Sequence, residues 1–169
     1  MSNWKYDYDA RMIESMEIAN FIKLKPKSII LELGSGSGHF SHYLTKNGHT
    51  VYATNCEDSE VQDCNLKPFV KPVYFKFIGR GTPISVLVRY GLYDYVIANS
   101  NAMHSESGGE IDNDLDYEYL VNQLLRIVKP GGEIWLGFNP ELKSKYMKQY
   151  EIKTNGILGK TVCKIVRHK

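Results

Sequence analysis

The segment Ser28-Ile29-Ile30-Leu31-Glu32-Leu33-Gly34-Ser35-Gly36-Ser37-Gly38-His39-Phe40 constrains the fold more than any other part of the chain. An apolar run of strand length meets three glycines at alternate positions, and helix-compatible residues follow through Thr45. A buried parallel strand reads as an unbroken apolar run, and glycine punctuation marks a tight turn. Strand, glycine turn and helix make the first half of a βαβ unit that binds a nucleotide. Without side chains at Gly34, Gly36 and Gly38, backbone can approach a ligand, and the helix behind it presents unpaired N–H groups.

The other segments arrange themselves around that turn. Met12, Met16, Ala19 and Ile22 recur at helical spacing within residues 4–25, and Lys25-Pro26-Lys27 ends the helix. Strand Ser28–Leu33 leads to a helix at about Gly38–Lys46, closed by Asn47-Gly48, and then to strand His49–Thr54. Glu57 to Leu66 starts at most a short helix, because Pro68 and Pro72 prevent a long one. Val73–Ile78 and Tyr93–Ala98 read as strands, whereas Ile84–Tyr90 fits a short helix or a strand equally. A polar loop runs from Asn99 to about Asn113. Asp114 or Asp116 caps a helix with Leu120, Val121, Leu124, Leu125 and Val128 on its apolar face. Lys129-Pro130-Gly131-Gly132 stops that helix before strand Glu133–Phe138. After Asn139-Pro140, one more helix fits Glu141–Tyr150, and residues 150–166, with Asn155-Gly156 inside, suggest a hairpin. This order predicts a three-layer α/β/α sandwich. Its sheet is mostly parallel, of a seven-stranded type, with an antiparallel C-terminal hairpin strand.

Composition narrows the function classes. A net charge of +2 gives no support for a strongly electrostatic nucleic-acid binder. Cys56, Cys64 and Cys163 form neither a disulfide framework nor a C-x-x-C pair, and no metal site is expected. No run approaches the roughly 18 apolar residues of a membrane span. Residues Met1 to Asp7 hold no apolar signal core, so a cytoplasmic setting is expected.

The glycine spacing then selects a ligand. A dinucleotide fingerprint reads G-x-G-x-x-G, but here the third glycine falls one residue early and Glu32 precedes the first by two. A carboxylate beside a phosphate is unfavourable, whereas an ammonium group suits it. Glu32-x-Gly34-x-Gly36-x-Gly38 resembles motif I of the class I S-adenosylmethionine-dependent methyltransferases. The resemblance continues through Asn47–Thr54, similar to that family's second strand, and Tyr93–Asn99, similar to its fourth. It ends with Leu124–Gly132, similar to its helix and K-P-G-G turn. The match runs in the right order over residues 28–138.

That resemblance implies roles for particular residues. Glu32 would contact the methionine amino group of S-adenosyl-L-methionine, directly or through water. Gly34, Ser35, Gly36 and Gly38 would pass close to its ribose and methionine portions. Asn55, with Cys56 beside it and Glu57 and Asp58 beyond, stands where the family usually has an acid for the ribose hydroxyls. A neutral acceptor there is weaker than a charged one. Arg80 replaces an acid near the adenine, where it either stacks or is solvated, and Asn99 would line the cofactor and substrate mouth. His104 is the first choice for a general base or substrate contact. His39 would face the methionine end, or else cap the helix or lie on the surface. Tyr6 and Tyr8 would either form a lid or pack on the sheet, whereas Trp4 and Trp135 read as packing residues. The Asn-Pro-Pro-Tyr signature of nucleic-acid amine methylation is replaced by Asn99-Ser100-Asn101-Ala102, which disfavours such substrates.

A single domain over residues 1–169 is expected. It divides into an N-terminal helix or lid (1–27), a cofactor-binding core (28–138), and a C-terminal helix and hairpin (139–169). The expected activity is methyl transfer to an acceptor, with a small molecule favoured. The alternatives are a non-catalytic, cofactor-binding partner subunit and another transferase, such as an aminopropyl transferase. Lys143, Lys145, Lys148, Lys153, Lys160, Lys164, Arg167, His168 and Lys169 make the C-terminal third basic, leaving an RNA or protein acceptor open.

Overall fold

The computed structural model describes residues 4–36, 38–55, 71–75, 81–98, 114–137, 155–157 and 160–168. The apolar run before the glycines forms β1 (Ile29–Glu32), which pairs in parallel with β2 (Thr50–Asn55) on one side and β4 (Tyr93–Ala98) on the other. β3 (Lys71–Tyr74) adds to β2, and β5 (Val128–Gly137) adds to β4, both in parallel. At the far side β7 (Lys160–Val166) lies antiparallel between β5 and β6 (Asn155–Ile157). The described strands thus form one seven-stranded sheet in the order β3-β2-β1-β4-β5-β7-β6.

Helices cover both faces, as unbroken apolar strands require. Successive residues of a strand point to opposite sides, so each central strand feeds two cores. Under α1 (Trp4–Ile22) and α2 (His39–Lys46), the side chains of Ile18, Ile22, Phe40 and Leu44 meet Ile30, Val51, Tyr95, Ile97 and Trp135. Under α3 (Ser85–Val88) and α4 (Asp114–Ile127), Leu87, Leu120, Val121, Leu124 and Ile127 meet Leu31, Leu33, Val96, Ile134 and Leu136. The three-layer α/β/α architecture is therefore present. Among the described residues α4 buries four apolar side chains against the sheet, whereas α1 buries two, Ile18 and Ile22, about 3–6 kcal/mol of apolar transfer.

Several boundaries differ from the sequence reading for identifiable reasons. α1 ends at Ile22, before Lys25-Pro26, because Lys23 adopts a left-handed φ of 58°. Its buried line is Ser15, Ile18 and Ile22, while Met16 is 42% exposed, so the apolar face is offset from the expected one. Ser15 is tolerated there because its hydroxyl donates to the Arg11 carbonyl at 2.7 Å. The ambiguous segment 84–90 becomes the short helix α3. The third strand occupies Lys71–Tyr74, ahead of the expected Val73–Ile78. The expected C-terminal hairpin is present as the antiparallel pair β6 and β7, with Asn155-Gly156 lying within β6 opposite Val162 and Thr161. The helices expected within 57–66 and 141–150 fall outside the described residues.

The Lys129-Pro130-Gly131-Gly132 stretch, expected to stop a helix before a strand from Glu133, lies inside β5, as does Val128, expected on the helix. α4 ends at Ile127, and β5 begins immediately at Val128, opposite Tyr93. The next pair is Tyr95 with Glu133, so residues 129–132 form a bulge opposite Asp94. Gly131 takes φ 77° there, and its N–H donates to the Arg167 carbonyl at 2.9 Å. Asp94 ties the bulge to β1: it accepts from the Ile29 N–H and from the Lys129 ammonium, each at 2.8 Å. Burial pushes the Asp94 pKa up, but the Ile29 N–H and the charges of Lys129 and Lys25 outweigh it and hold it below the ordinary value.

Candidate functional site

The strand order reverses direction between β1 and β4, and in parallel α/β sheets a crevice opens at such a point, at the carboxyl ends of the strands. The glycine turn emerges there. Gly34, Gly36 and Gly38 have φ of 64°, 51° and 78°, all in the left-handed region that side chains disfavour. The Leu33 N–H donates to the Ile97 carbonyl at 2.8 Å, carrying β1 one residue further along β4. Beyond it the turn hangs on β2: the Gly34 N–H donates to Thr54 Oγ1 at 3.1 Å, and the Ser35 N–H to the Thr54 carbonyl at 2.8 Å. Gly38 then caps α2, and its carbonyl accepts the His42 N–H at 2.9 Å. A Cβ built on Gly36 meets nothing within 4 Å. The glycine there serves its φ and an open space above the backbone.

Glu32 closes β1 on the α1–α2 side and is 2% exposed. The Ser41 hydroxyl, in the first turn of α2, donates to its Oε2. Burial pushes the carboxyl pKa up to about 7, against the lowering effect of the hydroxyl and backbone N–H of Ser41. A buried carboxylate raised this far favours a cationic ligand, because desolvated charge is stabilised by its opposite. It would repel a phosphate. The cradle and its carboxylate therefore fit the aminoacyl end of a sulfonium nucleoside.

The helix behind the turn is more polar inside than its pattern suggested. His39, Ser41 and His42 are all buried on α2. Burial of His39 removes its surface placement, and the cap position belongs to Gly38, with no side-chain cap bond. The His42 pKa is lowered by burial first and by the nearby charges of Lys46 and His39 second.

Of the residues expected in the site, the structure brings Glu32, Gly34, Ser35, Gly36 and Gly38 together, with Asn55 ending the neighbouring strand. The Asn55 side chain, Cys56, Glu57, Asp58, Arg80, Asn99 and His104 lie outside the described residues, as do the side chains of Trp4, Tyr6 and Tyr8. Trp135 packs as expected: it is buried edge-on to Phe21 at 5.9 Å, and its indole N–H donates to Glu133 at 2.8 Å. Sequence reasoning missed Ser41 and Thr54. The only signal for Thr54 was a hydroxyl near the carboxyl end of the strand.

Comparison with known proteins agrees with this geometry. The family described as "Methyltransferase domain" matches residues 31–136, well over half of the chain. Among solved structures, a TehB-like SAM-dependent methyltransferase from Corynebacterium glutamicum superposes with a TM-score of 0.66 at 17% identity. That match covers 92% of this chain and 87% of the other. Precorrin-6y C5,15-methyltransferase from Geobacter metallireducens gives 0.63 at 14% identity, over 95% and 88% of the two chains. TrmN from Thermus thermophilus gives 0.65 at 15% identity over 90% of this chain, which spans only 47% of TrmN. At such identities a structural likeness establishes the fold alone. No curated protein matches the sequence. The family match is what decides: the chain belongs to the methyltransferase domain family, and its cofactor is S-adenosyl-L-methionine.

Proposed function

We propose that the enzyme methylates a small-molecule acceptor at the carboxyl ends of β1, β2 and β4. The observation that favours this over an RNA acceptor is the engagement of two of the described C-terminal cations, Lys164 and Arg167. Lys164 pairs with Glu133 at 2.9 Å and sits 5.3 Å over the Trp135 ring, and the Arg167 guanidinium donates to the Val128 carbonyl. Cations engaged inside the molecule are poor anchors for a phosphate backbone, whose binding depends on releasing counterions from it. The net charge of +2 points the same way.

The cofactor supplies a methyl group on a sulfonium, and its displacement is in line, so the chain's main task is to hold two reactants in register. Glu32 takes the ammonium group in this reading, and the backbone of Gly34, Ser35, Gly36 and Gly38 takes the adjoining portion. Asn55 accepts from a ribose hydroxyl, with Cys56 beside it, while Arg80 stacks on the adenine. Asn99 lines the mouth. His104 removes a proton where the acceptor must lose one.

Methyl-labelled cofactor incubated with the enzyme and separate small-metabolite, RNA and protein fractions should place label in the metabolite fraction. Label confined to RNA or protein overturns the acceptor class, and label in none favours a non-catalytic partner subunit. An aminopropyl transferase would leave the labelled methyl group on its by-product. Gly36→Ala separates the cradle from the fold. It should lower stability by only about 1 kcal/mol, the strain of a left-handed alanine, because the new methyl has open space. In calorimetric titration the same methyl, standing where the ligand belongs, should weaken cofactor binding at least tenfold.

A further inference from the structure

We infer that Thr54 is a positioning residue for cofactor binding, its hydroxyl locking the glycine turn to the end of β2. This inference rests on the reading of that turn as the cofactor cradle. The paired ladder of β1 and β2 ends at Glu32 opposite Ala53, where β1 itself ends. From that point Thr54 takes over. Its hydroxyl donates to the Glu32 carbonyl at 3.1 Å and accepts the Gly34 N–H at 3.1 Å, while its own carbonyl accepts the Ser35 N–H at 2.8 Å. The hydroxyl's donor and one acceptor site are thereby used. At 1% exposure, water has little access to replace either bond. A β-branched side chain with few χ1 choices holds this geometry at little entropic cost.

The clamp matters because Gly34 and Gly36 are the residues with most backbone freedom to lose. A turn ordered before the ligand arrives avoids that cost on binding. Thr54 also precedes Asn55, the residue proposed for the ribose. One side chain therefore sets the spacing between the grips on the two halves of the cofactor.

Thr54→Val keeps the shape and removes the hydroxyl, and Thr54→Ser restores it. With S-adenosyl-L-methionine in calorimetric titration, Thr54→Val should bind roughly tenfold more weakly, the lower end of the scale for its two lost buried hydrogen bonds, and Thr54→Ser should bind like the native enzyme. Amide hydrogen exchange without cofactor should show Gly34 and Ser35 losing protection in Thr54→Val alone. The inference is overturned if Thr54→Val binds normally, even with a lowered melting temperature, or if Thr54→Ser fails to rescue it. Absence of binding by the native enzyme would instead bring down the cradle reading. The exchange comparison would still decide whether Thr54 holds the turn.

Discussion

Glu32→Gln should weaken S-adenosyl-L-methionine binding about a hundredfold, the scale of a buried, hydrogen-bonded charge pair that loses one partner. The carboxylate is 2% exposed with a pKa near 7, so near neutral pH it is divided between its two forms. A cationic ligand selects the ionised form and expels the proton. Native affinity should therefore rise as pH increases from about 5.5 and level off above about 7, with proton release seen as buffer-dependent heat. The glutamine variant should show neither effect. Stability of the unliganded protein runs the other way. This carboxyl has a folded pKa above its ordinary value of 4.5, so the native state holds the proton more tightly than the unfolded chain. Its unfavourable contribution is absent below pH 4.5, grows through pH 7, and is then constant at up to about 3 kcal/mol. Thermal melts at pH 5 and pH 8 should show Glu32→Gln gaining on the native protein as pH rises. Unchanged cofactor affinity in the variant would remove Glu32 from the ammonium site.

The second large effect lies far from the cofactor. Gly132→Ala should destabilise the fold by roughly 3 kcal/mol, the upper part of the usual range for forcing atoms into a packed site. A Cβ on Gly132 would stand 2.5 Å from Val128 Cγ1, 2.8 Å from the Asp94 carbonyl oxygen and 2.9 Å from that of Lys129. Two of these neighbours are backbone atoms of the bulge, which the Tyr93–Val128 and Tyr95–Glu133 pairs hold on either side. Relief requires the bulge to open, which strains the bonds joining Gly131 and Gly132 to Arg167. A melting-temperature loss of about 10 °C is expected for a domain of this size, without specific loss of cofactor affinity at low temperature. An unchanged melting temperature would mean the bulge is softer than its packing indicates.

The legible parts of this fold were those whose requirement is local. β1 and β4 were read within a residue or so at either end, because a strand covered on both faces must be apolar throughout. The helix at Leu120–Ile127 was legible from its spacing, since its apolar residues all enter one core. Local signals misled where a distant neighbour decided. Met16 fits the helical spacing yet faces outward, because the sheet's position selects the line through Ser15, Ile18 and Ile22. Pro130 and two glycines look like a break, but β4 and Arg167 recruit them into a bulged strand. Ser41 and Thr54 left almost no trace. Their partners are the Glu32 side chain, nine residues away, and the Glu32 carbonyl, 22 residues away, and strand register alone brings the latter pair together.

By itself the sequence determined the turn and its ligand class. Glycines at positions 34, 36 and 38 carry the freedom for positive φ in their own covalent structure, and Glu32 carries a carboxyl wherever it is placed. Tertiary structure decided how strongly those groups act. Burial between α2 and the sheet raised the Glu32 pKa, the β1–β2 register set Thr54 against the turn, and β5 drew Lys164 and Arg167 inward. Desolvation and hydrogen-bond pairing depend on what surrounds a group, and only the folded chain supplies those surroundings.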